Sequence, residues 1–571
     1  MKLPGDLRTL LCAAAVVLAV SCASTPPVGT VKEAGAWSGQ SVVQTRFGPV
    51  QGFPDADSTL VWKAIPYARP PLGDLRWRAP QDPLPWDDVR ASHSFSAGCT
   101  QFSPVMSGAI VGSEDCLYLN VWRPQGSETG LPVYVWIHGG GNSIGSATMV
   151  PDYYGNRIAA RSRVVFVSMN YRLGPFGWFT HPALRDGESP EDASGNYGTL
   201  DIVQALKWIQ QNIASFGGDP HSVTVTGESA GGFNVLSLLI APPARGLFQR
   251  AMSESGAALT RSMDEADARA GAALDQLLVR AGKARTPGAA ESVAAGMSPQ
   301  QIRTFLRSRT DRQIVQCYAA GAMGMTDNPA ILRDGVVIPV DGFDSLSGDD
   351  YPGKVPVILG GNREELKLFM AFAGNPPWKG DLYQAEATYG SERWKVSGVD
   401  EVARRLTSHA DQPPVYTYLF SWGAMDAQGK SPMPGNWGRR LGAFHSLEIP
   451  FFLGTDTLNA VMQSFLFTRQ NAPGRKALSA AMMDYLAAFA RTGNPNRPGS
   501  GLPEWPAWTP TPGTPRGVIF DATAEAAAIS VSSTELTDEG VLADIRTDLP
   551  EPVRTQTLEA LQKSRMPSSV R

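Results

Sequence analysis

The stretch FGGDPHSVTVTGESAGG, Phe216 to Gly232, decides the fold. Val223 and Val225, alternating with threonines, favour an extended strand. GESAG then surrounds Ser229 with small residues, as a sharp strand-to-helix turn requires if neighbouring chain is not to collide with it. Such a turn lifts the Ser229 hydroxyl above the end of a sheet. It also aims the N–H of Ala230, at the start of a helix, toward any oxygen that gains negative charge when the serine attacks a carbonyl. A G-x-S-x-G pentapeptide alone is common loop composition; the strand before it and the helix after it make Ser229 a nucleophile candidate.

A second element fits the first. LPVYVWIHGGGN, Leu131 to Asn142, is a buried-type strand running into three glycines, whose backbone can donate two more N–H groups. Assigned to Gly140 and Gly141, these complete with Ala230 an oxyanion hole. The competing reading is a phosphate loop, but no Lys-Ser/Thr pair follows and no acid stands at dinucleotide spacing. Further apolar runs at VVFVSMN and VPVILGG alternate with helical stretches, which predicts an α/β fold: a mostly parallel twisted sheet flanked by helices, with its site at the carboxyl ends of the strands. Charged residues are 18% and the net charge is −4, so no nucleic-acid surface is expected. No HExxH, paired CxxC or lysine-bearing phosphate loop occurs, so neither metal nor cofactor is expected.

The chain resembles the type-B carboxylesterase and cholinesterase family of α/β-hydrolases. Its serine signature is matched from Phe216 to Gly231, and a second signature by EDCLYLNVWRP, Glu114 to Pro124. WKAIPYARPPLGDLRW from Trp62, NYRLGPFGW from Asn170, GNYGTLDIVQALKWIQQNI from Gly195 and FARTGNPN from Phe489 extend the resemblance over about residues 40 to 530. The resemblance implies the order serine, acid, histidine. VPVILGGNREEL matches G-x-N-x-x-E and sets the acid at Glu365, with Glu364 as a solvated neighbour. GAFHSLEIPFFLG sets the histidine at His445, in a short loop before an apolar helix. Of the six histidines, His93, His181, His221 and His409 sit among turn-forming polar residues, and His138 is read as positioning the glycine loop. His445 is therefore the expected general base, oriented by Glu365.

The resemblance further implies that Glu448 and Ser255 support the triad from behind, against the alternative of Glu448 as a helix-capping or surface carboxylate. It implies a Cys99 to Cys116 disulfide, which an oxidising compartment allows. The family's second bridge is absent as a unit, with Lys283 and Phe305 in its place, which leaves Cys317 a free buried thiol. The alanine-rich segment from Leu259 to about Ala322 corresponds to inserted cap helices that line the gorge. The loop 99–116 lacks the tryptophan that holds choline, which disfavours choline esters. Departures from the pattern are Asn142 after the glycines, Phe233 and Asn234 past the elbow, and Ile202 for a glutamine.

Residues 1–22 read as a signal peptide, with Lys2 and Arg8 before an apolar run too short to span a bilayer. LAVSC resembles a lipobox, which makes Cys22 a lipidated first residue; cleavage after Ala23 is the alternative. Residues 23–40 read as a flexible tether, 41–535 as one catalytic domain, and 536–571 as a poorly ordered tail with one short helix near Thr557. The expectation is an exported, periplasm-facing envelope lipoprotein or a secreted protein, touching membrane only through Cys22. Its partner is a small-molecule ester, hydrolysed through an acyl-enzyme on Ser229. Amide or carbamate hydrolysis by the same chemistry, or a non-catalytic binding homologue, are the alternatives.

Overall fold

The computed structural model describes residues 29–348, 350–373, 377–458 and 460–563. The leader, Cys22 and residues 23–28 of the tether lie outside the described residues.

The apolar runs become the inner strands of one eleven-stranded sheet. In chain order its strands are β1 (Phe53–Asp55), β2 (Thr59–Pro66), β3 (Tyr118–Pro124), β4 (Leu131–Ile137), β5 (Val165–Met169), β6 (Gly218–Glu228), β7 (Arg250–Glu254), β8 (Val357–Asn362), β9 (Val415–Phe420), β10 (Gly517–Phe520) and β11 (Ser530–Ser532). Their spatial order is β11-β10-β9-β8-β7-β6-β4-β5-β3-β2-β1. The pairs from β5 through β4 and β6 to β10 are parallel, and antiparallel strands finish both edges. All seven residues of β4 are buried, as a strand covered by helices on both faces requires.

From β4 the chain steps outward to β5 and then returns to β6 on the other side of β4. This reversal is the switch point at which an α/β sheet opens a crevice. Register sets Gly227 of β6 beside Ile137 of β4, so the elbow and the glycine loop leave the sheet side by side. The helix Tyr197–Asn212 packs on one face and the helix Ala472–Thr492 on the other, each closing its own apolar core.

The segment expected to be a helical insertion forms four helices, Met263–Arg280, Pro287–Ala295, Pro299–Arg307 and Asp311–Val315. Capping boxes at Ser262/Glu265, Ser298/Gln301 and Thr310/Gln313 start three of them. Cys317 is free and buried in their shared core, and Lys283 and Phe305 line one surface depression. Cys99 and Cys116 form the expected disulfide.

Two expectations about the ends are corrected. Residues 29–40 are not a free tether: Gly29, Lys32 and Gly35 donate backbone hydrogen bonds to Pro85, Arg46 and Gln44. Trp37 anchors the run, buried edge-on against Trp62 under the Arg123 guanidinium, with its indole N–H on Gly126 O. Residues 536–563 form two helices, Asp538–Asp548 and Val553–Lys563, instead of a tail with one. Val541, Ile545 and Leu561 bury against Ala385, Tyr389 and Val396, and Arg393 pairs with Asp538 and donates to Leu561 O. A few correctly spaced apolar residues thus suffice to dock a segment rich in charged and polar residues.

Candidate active site

Ser229 sits between β6 and the helix Ala230–Ile240 with φ 58° and ψ −123°, a strained conformation for a residue with a side chain. Its neighbours explain the glycines. A Cβ on Gly231 would lie 2.0 Å from Ile137 O, and one on Gly232 would lie 2.8 Å from Glu254 O. Ser229 N donates to Glu254 O at 2.8 Å, which ties the elbow to β7.

The glycine loop lies against this elbow, close enough that a Cβ on Gly139 would be 3.0 Å from Ser229 Cβ. Gly140, Gly141 and Asn142 all have positive φ, at 109°, 61° and 54°. The resulting tight turn is closed by Ser143 N and Ile144 N on Gly140 O. Gln101 of the disulfide loop clamps it through both bonds to Gly145, each 2.7 Å. Tyr171 donates to His138 O, and the chain beside Tyr171 is pinned by the buried, bidentate Arg172–Asp201 pair. Burial pushes the His138 imidazole down to about 4; it is neutral, stacked on Tyr171, with Nδ1 2.8 Å from Gly139 O. These contacts fit a residue that holds the loop.

Asn142 and Asn234, two departures from the family pattern, meet: Asn234 Nδ2 donates to Asn142 Oδ1 at 2.9 Å. Asparagine is among the side chains that best tolerate the left-handed backbone of Asn142, and its amide links the glycine loop to the helix that follows Ser229. We expect Asn234→Ala to cost about 1–3 kcal/mol, the range for stranding a buried polar partner. In a double-mutant cycle with Asn142→Gly, thermal melts and kcat/KM should show coupling of at least about 0.5 kcal/mol; additive effects would contradict the link.

His445 lies in the loop before the helix Ile449–Phe452. Its Nδ1 is 2.5 Å from Glu365 Oε2, while Glu365 Oε1 accepts from Asn362 N at 2.6 Å. The imidazole rests on Trp394 and Phe369, with ring centroids 4.9 and 5.2 Å away, and Trp394 is fixed by its N–H on Ser255 O and Gly256 O. Glu448 is fully buried, accepts from the Ser255 hydroxyl at 2.8 Å and pairs with Asn362 Nδ2; its side chain caps no helix and meets no solvent. Glu364 is not the solvated neighbour expected. It pairs with the buried Lys367 and accepts from Ala443 N, because its loop folds back under residue 443.

Two residues at the site are not singled out by the sequence. His445 Nε2, the nitrogen opposite Glu365, lies 3.2 Å from Glu228 Oε1, and Ser446 Oγ donates to the same oxygen at 2.5 Å. No hydrogen bond joins Ser229 Oγ to His445 among the described residues. Glu228 stands in GESAG itself, but its meeting with a loop more than two hundred residues away has no local signal. Burial lowers the His445 pKa, yet Glu228 and Glu365 outweigh it and raise the group to about 9. Burial pushes Glu228 and Glu448 up, and takes Glu254 to about 8. Three buried glutamates, Glu228, Glu365 and Glu448, thus act on one imidazole, and Glu254 stands behind Glu228.

Fold and site together define an α/β-hydrolase with a serine on its elbow. The Carboxylesterase family model matches residues 39–397 and 394–518. The para-nitrobenzyl esterase of Bacillus subtilis is 32% identical over 495 residues, 82% of this chain and 92% of that relative; the liver carboxylesterase of Sus scrofa is 34% identical over 541 residues, 83% and 89%. Among solved structures, a PNB esterase superposes with TM-score 0.66 at 28% identity, covering 91% of this chain and 99% of its own. The Geobacillus stearothermophilus carboxylesterase EST55 superposes with TM-score 0.67 at 30% identity, covering 86% and 98%. The chain belongs to the carboxylesterase family and is a carboxylic ester hydrolase.

Proposed function

We propose that this hydrolase works by double displacement through an acyl-enzyme on Ser229, with His445 as general base and Glu365 as the residue that orients it. The observation that carries the reading is the 2.5 Å contact of His445 Nδ1 with Glu365 at the switch point where the Ser229 elbow emerges. His445 Nε2 turns from Glu228 to Ser229 Oγ and takes its proton as the oxygen attacks the ester carbonyl. The N–H groups of Gly140, Gly141 and Ala230 hold the resulting oxyanion, each worth about 3 kcal/mol. His445 then protonates the departing alcohol and activates the water that releases the acid. Glu448 and Ser255 keep Asn362 and the Trp394 anchor in place behind it.

Aryl and short to medium acyl esters are the proposed substrates. Hydrolysis of p-nitrophenyl esters of increasing acyl length, with fluorophosphonate labelling, tests this; folded protein that neither labels nor turns over would leave a binding homologue. Matched p-nitroanilides separate ester from amide preference.

The mechanism needs His445 neutral, and its two carboxylate neighbours favour the charged form. Activity is therefore lost as pH falls through a raised pKa of about 9. We expect kcat/KM to keep climbing between pH 7 and 9; a plateau already complete at pH 7 would contradict it.

We also propose export with lipidation at Cys22. The support is the sequence from Lys2 to Cys22, and intact-mass analysis of the mature N-terminus distinguishes an acylated Cys22 from cleavage after Ala23.

A further inference from the structure

Ser446 follows the histidine in a left-handed conformation, φ 71°, that favours glycine. What a serine adds there over glycine is its hydroxyl, and that hydroxyl is spent on one acceptor, Glu228 Oε1, at 2.5 Å. The same oxygen faces His445 Nε2 at 3.2 Å. Among the described residues Ser446 makes no hydrogen bond to Ser229 or to the glycine loop, yet its hydroxyl acts on the carboxylate that faces His445 Nε2.

We propose that Ser446 is a positioning residue: by donating to Glu228 it keeps that carboxylate anionic and turned toward His445 Nε2, and so sets the pH at which the histidine becomes a base. The inference rests on the esterase reading given above. A hydrogen bond to an ionised carboxylate favours that form, and an anion beside an imidazole favours the imidazolium. Without the hydroxyl, Glu228 takes up a proton more readily in its buried site, its pull on His445 weakens, and the base becomes available at lower pH. The other ionisable groups around Glu228 do not replace the donor. Glu365, Glu254 and Glu448 disfavour a further negative charge, and Tyr153 and Tyr171 are held in their neutral form by burial.

The test compares wild type, Ser446→Gly, Ser446→Ala, Glu228→Gln and the Glu228→Gln/Ser446→Gly double variant. Glycine suits the backbone, and alanine guards against loosening of the loop. Two readouts are taken: the pH dependence of kcat/KM for p-nitrophenyl acetate, and the His445 ring titration by NMR of histidine-labelled protein. Both Ser446 variants should move the rising limb and the His445 titration to lower pH by about half a unit or more. In the Glu228→Gln background Ser446→Gly should move neither. An unmoved limb, a shift to higher pH, or an equal shift without Glu228 overturns the proposal. Absence of wild-type turnover would sink the esterase reading, while the NMR titration would still decide the role of Ser446 by the same criteria.

Discussion

Ser229→Ala is expected to lower kcat by about 10⁴- to 10⁶-fold and to abolish fluorophosphonate labelling, while the melting temperature stays close to that of the wild type. The effect is large because, in the mechanism proposed above, His445, Glu365 and the three N–H donors all act through the bond that Ser229 forms, and without the nucleophile they have no covalent step to assist. Stability is spared because alanine meets the same φ of 58° with one atom fewer, and the hydroxyl makes no hydrogen bond to His445 that folding could lose. Retention of more than about one per cent of wild-type kcat in a purified, folded variant would contradict the assignment.

Gly231→Ala should be a severely damaging single methyl group at the site. Its Cβ would lie 2.0 Å from Ile137 O and 3.1 Å from His138 O, both backbone atoms at the point where β4 becomes the glycine loop. Neither can move without shifting the glycine loop or the elbow. We expect a loss of about 3 kcal/mol in stability, at the upper end for overpacking, and about a 10²-fold loss in kcat from misplacement of the reacting groups. Gly271→Ala is the control: it lies within the helix Met263–Arg280 with nothing near its Cβ, and should be neutral or stabilising by up to about 1 kcal/mol. Chemical denaturation and kcat for the two variants check the contrast, and equal effects would contradict it.

Features that depend on neighbours along the chain are legible in the amino-acid sequence. The elbow at Ser229, the glycine loop at 139–141 and the helical insertion each carry their own local reason: small residues at a turn, a buried strand into glycines, alanine-rich helical composition. The acid and the histidine follow from family pattern and from the scarcity of histidine. What the sequence hides depends on long-range placement. Glu228 and Ser446 meet only because β6 and the loop after Gly442 converge, and Asn142 and Asn234 stand as two separate departures in sequence although their amides bond to each other. The ends mislead because composition weighs all residues alike. Trp37 is the large buried side chain that, with three backbone hydrogen bonds, fixes residues 29–40, and Val541, Ile545 and Leu561 dock a segment whose other residues are mostly charged or polar.

A covalent intermediate on Ser229 can be trapped during turnover. Mixing the enzyme with p-nitrophenyl acetate, quenching in acid within a few turnovers and mapping peptides by mass spectrometry tests it directly. An acetyl group should appear on Ser229, disappear as substrate is exhausted and never form in Ser229→Ala. Turnover with Ser229 unmodified at every time point, or an acetyl group accumulating on another side chain at the rate of turnover, would contradict it.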